Sequence, residues 1–114
     1  AVGRVLLAYL SPDELNIFLA KKGLPIKQIW PGAHTLNGLK RVINHIRNCG
    51  YSAIHHQRIV GVAFPIKEHG KVVAALGVWA PVFYFKGDHR KKILEETQKT
   101  ALQIGELLNN YLSL

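Results

Sequence analysis

Cysteine is nearly absent from this chain of 114 residues: Cys49 stands alone. A disulfide framework and a cysteine-built structural zinc site are thereby excluded. No apolar stretch reaches the ~20 residues that a membrane-spanning helix requires, the run through Val72 and Val78 included. No signal peptide opens the chain, so a reducing cytoplasm is the expected location. Internal repeats, low-complexity tracts and interdomain linkers are missing too. Acidic residues are scarce, with 7 Asp and Glu against 15 Lys and Arg. What remains is 48% hydrophobic and 19% charged, which excludes a disordered tail. The length suits one compact domain or part of one.

The formal net charge of +8 raises the question of nucleic-acid contact. The cations are scattered, however, and the one denser run, Lys86 to Lys92, contains Asp88. Aromatic residues do not alternate with basic ones as a base-stacking platform requires. The pattern reads as a solvated basic face.

Ala1 to Leu10 is predicted to be helical, with Val2, Val5, Leu6 and Tyr9 on one face. Ser11-Pro12-Asp13-Glu14 supplies an N-cap, a proline at the first helical position and acids in the first turn. A second helix should run from Pro12 to about Lys22, bury Leu15, Phe18 and Leu19, and stop at Gly23. Pro25 to His34 reads as loop. Thr35 is an N-cap for a third helix, whose Leu36, Leu39, Ile43 and Ile46 form a stripe ending at Gly50.

Beyond Gly50 the period changes to that of strands, predicted at Tyr51–Gln57, Ile59–Lys67 and Lys71–Pro81. A long helix should follow from Asp88, its N-cap, to Leu112. Leu94, Thr97, Ala101, Ile104, Leu108 and Tyr111 make its seam, and Leu102, Leu107, Leu112 and Leu114 widen it. The fold class is α+β: an antiparallel sheet flanked by helices.

A three-residue connection, Glu68-His69-Gly70, would set Lys67 opposite Lys71 in a hairpin. Gly61 then faces Gly77, Ala63 faces Ala75, and Ile59 faces Trp79. Val60, Val62, Phe64 and Ile66 with Val72, Ala74, Leu76 and Val78 make the other face, a bulky one that needs helices to cover it. The first face is floored by small residues, with one Trp at its end. Such a floor leaves room for a ligand, for a closely packed backbone, or for Trp79 folded over the glycines.

No constellation for catalysis emerges. Asp13, Glu14 and Asp88 are explained by helix starts, and no acid/base pair is in view. Of six histidines, no two have the four-residue helical spacing of a zincin, and His55 and His56 fall on opposite faces of a strand. Cys49 has no evident base beside it. Phosphate loops and nucleophile elbows are absent. The expectation is a non-enzyme without metal or cofactor.

The order of segments resembles one family. Ala1-Val2-Gly3-Arg4-Val5-Leu6-Leu7-Ala8, followed by Ser11-Pro12-Asp13-Glu14-Leu15, resembles the opening helices of the effector domain in IclR-type bacterial transcription regulators. Gly50-Tyr51-Ser52, Val62-Ala63-Phe64-Pro65-Ile66, Gly70-Lys71-Val72-Val73-Ala74-Ala75-Leu76 and Ala80-Pro81 are similar to later motifs of that family, in the same order.

The resemblance implies a GAF-like effector-binding domain, incomplete at its N-terminal side, with residues 1–114 forming the C-terminal portion of a single such domain. The family's winged helix-turn-helix is not present, so DNA contact is expected only through that other part. The implied function is effector sensing and self-association to a dimer or tetramer. The implied effector is a small organic acid, larger or more aromatic than glyoxylate or pyruvate, since the family's pocket serines fall at Gly77 and Trp79 and a frequent cysteine at Gly61. Gly61, Ala63, Ala75, Gly77 and Trp79 would form the effector site, with His55, His56 and Arg58 as carboxylate partners. The alternative is an oligomerisation-only domain whose pocket is filled by Trp79. No membrane partner is expected.

Overall fold

The computed structural model describes residues 1–112, with elements in the order α1 (Val2–Ala8), α2 (Pro12–Lys22), α3 (Leu36–Cys49), β1 (Ser52–His56), β2 (Ile59–Glu68), β3 (Lys71–Pro81) and α4 (Gly87–Leu112). The chain divides into two compact units. One holds Ala1–Leu6 and the chain from Gly50 onward; the other is Leu7–Cys49. None of the helices among the described residues is long and apolar enough to cross a membrane.

The first unit is built on a three-stranded antiparallel sheet in the order β1-β2-β3. Its α+β character follows the sequence pattern, and the bulky face is covered as that pattern requires. Phe64 and Ile66 of β2 pack with Ala101 of α4, joined by Tyr51, Ala74, Leu76, Leu94, Ile104 and Leu108. Tyr51 stacks on Phe64 with ring centroids 5.0 Å apart. Gly105 explains how closely α4 lies on the strand: a Cβ there would stand 2.7 Å from the Lys67 carbonyl oxygen. At the end of α4, the Asn109 side chain accepts a hydrogen bond from the His69 amide in the hairpin turn, at 2.9 Å.

Two details of α4 differ from expectation. It starts at Gly87, so Asp88 lies in the first turn, where its charge still complements the dipole. The packed seam ends at Leu108, because Tyr111 is 73% exposed. Leu102 and Leu107 are exposed as well, and so widen the apolar surface. The side chains of Leu112 and Leu114 lie outside the described residues.

The second unit is helical. Ser11 caps α2 with a full capping box: its hydroxyl accepts from Glu14 N at 3.2 Å, and its own N–H donates to the Glu14 carboxylate at 3.0 Å. None of the α2 residues is buried; Leu15 and Leu19 are half-buried and Phe18 is exposed, contrary to the predicted stripe. Thr35 caps α3 through a bond from Gly38 N at 3.1 Å, and Leu39, Ile43 and Ile46 are buried while Leu36 is not. The loop before α3 buries Trp30, only 7% exposed. The Gly32 carbonyl approaches so near that Gly38 has no room for a Cβ.

Candidate functional site

The β2–β3 hairpin closes through a two-residue turn, His69-Gly70, with Glu68 opposite Lys71. Both turn residues have positive φ, 49° and 80°, the geometry that suits the right-handed twist of paired strands. A bulge between Ile66 and Lys67 then shifts the pairing once more. Gly61 therefore faces Trp79, Ala63 faces Gly77, Pro65 faces Ala75 and Ile59 faces Pro81. This corrects the predicted register by two residues. A two-residue slip keeps every side chain on its own face, so Gly61, Ala63, Ala75, Gly77 and Trp79 still share one.

That face is not a bare floor. Trp79 folds over Gly61: three of its ring atoms lie within 2.7 Å of where a Gly61 Cβ would be. No other residue than glycine fits beneath it, which is the cross-strand pairing of an aromatic ring with a glycine. The outer side of the indole stays open, and Trp79 is 59% exposed. At Gly77 a Cβ would meet Val2 Cγ2 at 2.7 Å, so the start of α1 occupies the space above that glycine. Ala63 between them is fully buried, and Ala75 is half-buried.

The β1 register decides between the two histidines. His56 pairs with Ile59 and Ile54 with Gly61, whereas His55 pairs with Val60. His56 thus lies on the small-residue face, and His55 lies on the face that α4 covers, so His55 is separated from the other candidates. Both are exposed. Arg58 is exposed in the β1–β2 turn, where its carbonyl accepts from Val82 N at 2.7 Å. The preceding Gln57 has φ 55°, a left-handed conformation without glycine.

Ser52 was not singled out by sequence pattern. It pairs with Ala63, which puts it on the small-residue face, and it is only 4% exposed. The alternation of β1 with Gly61 as a fixed point would have found it. Near the start of α1, burial pushes the Arg4 guanidinium below its ordinary pKa.

Other chemistry-bearing groups lie elsewhere. Cys49 is exposed, and its Sγ is 3.6 Å from His45 Nε2, so a base does stand beside it, one helical turn back on α3. No group of three or more metal-ligating side chains gathers among the described residues. Tyr84 stacks on His89 at 4.4 Å beside a surface hollow of about 380 Å³ that Lys92 and Glu96 also line.

The sequence matches the family model described as bacterial transcriptional regulator IclR C-terminal over residues 1–106. No curated protein matches it significantly. Among solved structures, a transcriptional-regulator chain of Rhodococcus sp. RHA1 is similar at 28% identity and a TM-score of 0.79; the match covers 96% of this chain and 46% of that one. The C-terminal domain of the Escherichia coli regulator KdgR is similar at 21% identity, TM-score 0.79, covering 96% and 68%. The inducer-binding domain of an Acinetobacter transcription factor, PobR, was solved as a double mutant with 3-hydroxybenzoic acid; it is 20% identical, TM-score 0.72, covering 93% and 63%. The chain thus spans less than half the length of the Rhodococcus protein chain.

Proposed function

Because the chain belongs to the family of IclR C-terminal domains of bacterial transcriptional regulators, we propose that it is the effector-sensing part of such a regulator. The effector is a small organic acid with a planar or aromatic body, taken up on the small-residue face of the sheet. One observation carries this reading: the Trp79 indole is held flat by Gly61 yet leaves its outer side exposed, ready to stack on a planar ligand. The PobR domain, which shares the fold, holds 3-hydroxybenzoic acid. His56 on this side of the sheet and Arg58 in the adjoining β1–β2 turn are the groups assigned to a carboxylate, and the Ser52 hydroxyl is the polar group at its floor.

Signal transfer follows from linkage. The domain self-associates as a dimer or tetramer, and the effector favours one subunit arrangement over another because it binds the two with different affinity. A DNA-binding domain elsewhere in the regulator reads that arrangement. The role is regulatory, not catalytic.

A second reading has its own observation. Trp79 covers Gly61 and Val2 covers Gly77, so the chain itself takes up space above both glycines. On that reading the domain serves only for oligomerisation. Titration with 3-hydroxybenzoate, followed through the two tryptophan indole N–H resonances, separates them, with Trp79→Phe assigning the peaks. The sensor reading predicts a saturable shift of Trp79 and of the Gly61 and Ala63 amides while Trp30 stays still. If neither indole moves with this or other organic acids, the oligomerisation reading stands.

A further inference from the structure

Between α2 and α3, in the helical unit, lies an open groove of about 440 Å³ that the sheet-face reading does not use. Its size is within the ~300–1,000 Å³ of small-molecule sites. The groove forms because α3 turns one stripe toward α2: Lys40, Ile43, Asn44 and Arg47 recur at steps of three and four. Buried Ile43 and half-buried Leu15 give it an apolar base. Asn16 of α2 and Asn44 of α3 add amides, and Lys40 and Arg47 add two positive charges. No carboxylate lines it. Of the two acids in the first turn of α2, Asp13 and Glu14, the latter accepts from the Ser11 amide in the capping box.

Arg47 is the distinctive member. Its Nε donates to the Ala8 carbonyl at 2.6 Å and its Nη2 to the Leu10 carbonyl at 3.0 Å. The guanidinium also sits 5.7 Å from the centroid of the Tyr9 ring. These contacts finish the C-terminal end of α1, and they also fix the plane of the guanidinium. Two of its five N–H donors are used, while the group remains part of the groove wall. A long flexible cation normally loses much rotamer freedom when it binds an anion. Here the chain's own carbonyls have already set its orientation, which is the preorganisation that favours recognition of a carboxylate.

We propose that this groove is a second binding site, one for a small carboxylate with a short apolar body. The carboxylate sits at Arg47, with Lys40 as the second charge. The apolar body lies along Leu15 and Ile43, and the Asn16 and Asn44 amides flank it. The groove shares no residue with the face that carries Trp79.

Hexanoate is the probe, with hexanol as its uncharged counterpart, each titrated into the ¹⁵N-labelled chain. Hexanoate is expected to shift the Asn16 and Asn44 side-chain amides saturably, and hexanol to bind at least ~10-fold more weakly. Asn44→Asp sets a like charge beside the site and should weaken hexanoate by a further ~10-fold or more. Lys40→Gln should weaken it several-fold, and serves if Asn44→Asp fails to fold. Trp79→Phe should leave these shifts unchanged. No shift at millimolar hexanoate, equal response to hexanol, or indifference to both variants overturns the proposal.

Discussion

Gly105→Ala sets two local terms of opposite sign against each other. Alanine is the better helix former by about 1 kcal/mol in a helix interior, and Gly105 lies well inside the 26-residue α4. A propensity argument alone predicts stabilisation. The packing says otherwise, because the new Cβ would stand 2.7 Å from the Lys67 carbonyl oxygen. That is about 0.6 Å short of the ~3.3 Å at which carbon and carbonyl oxygen normally meet. The obstacle is backbone, at the bulge that sets the hairpin register, so it cannot rotate aside. Relief requires α4 to lift from Phe64 and Ile66, and overpacking of that kind costs ~1–3 kcal/mol. The net expectation is destabilisation by about 1 kcal/mol, read as a lower urea midpoint with unchanged slope. Gly3→Ala is the matched control: Gly3 is helical in α1 and nothing lies within 4 Å of its added Cβ. It should gain up to about 1 kcal/mol. If both variants move in the same direction, the close approach of α4 to β2 is wrong.

Three further outcomes are expected. Gly77→Ser meets Val2 Cγ2 and should cost ~1–3 kcal/mol in the same urea assay. Val2→Ala combined with it should recover most of that loss, and additivity of the two changes would contradict the contact. Gln57→Gly relieves a left-handed φ of 55° and should raise the thermal midpoint, by about 1 kcal/mol in stability; a fall would refute the turn geometry. Ser11→Ala removes the α2 capping box and should cost about 1 kcal/mol, visible as early loss of amide protection in α2.

Much of this architecture is legible in the sequence because local signals and periodicity agree there. The limits of α2 follow from Ser11, Pro12 and Gly23, and those of β3 match the residues bounded by Gly70 and Pro81. The small-residue face was legible too, and it survived a register error because a slip of two conserves facing. The slip itself has a specific origin. His69 adopts φ 49° beside Gly70, making a two-residue turn in place of the three-residue connection Glu68-His69-Gly70, and no residue type announces the bulge after Ile66. Other features depend on tertiary neighbours and leave no local trace. Trp30 is buried in a loop with no period, Gly105 is required by a carbonyl from another element, and Phe18 is exposed although it falls on the predicted stripe. Val2 above Gly77 is of the same kind. Two residues 75 positions apart in the chain meet on one face, and only the fold reveals that the room above the sheet is shared with α1.

The measurement closest to the central claim is a thermal-shift comparison of the native chain and Trp79→Ser against a panel of aromatic, aliphatic and sugar acids. A ligand of the sheet face, present at a hundred times its dissociation constant, should add ~2.7 kcal/mol of stability. For a domain of this size that is a rise of roughly 10 °C. The sensor account predicts a saturable rise of the native chain with one chemical class, aromatic acids foremost, and its loss in Trp79→Ser. A rise confined to Trp79→Ser would contradict it, since the indole would then be occupying the site that the effector was to fill.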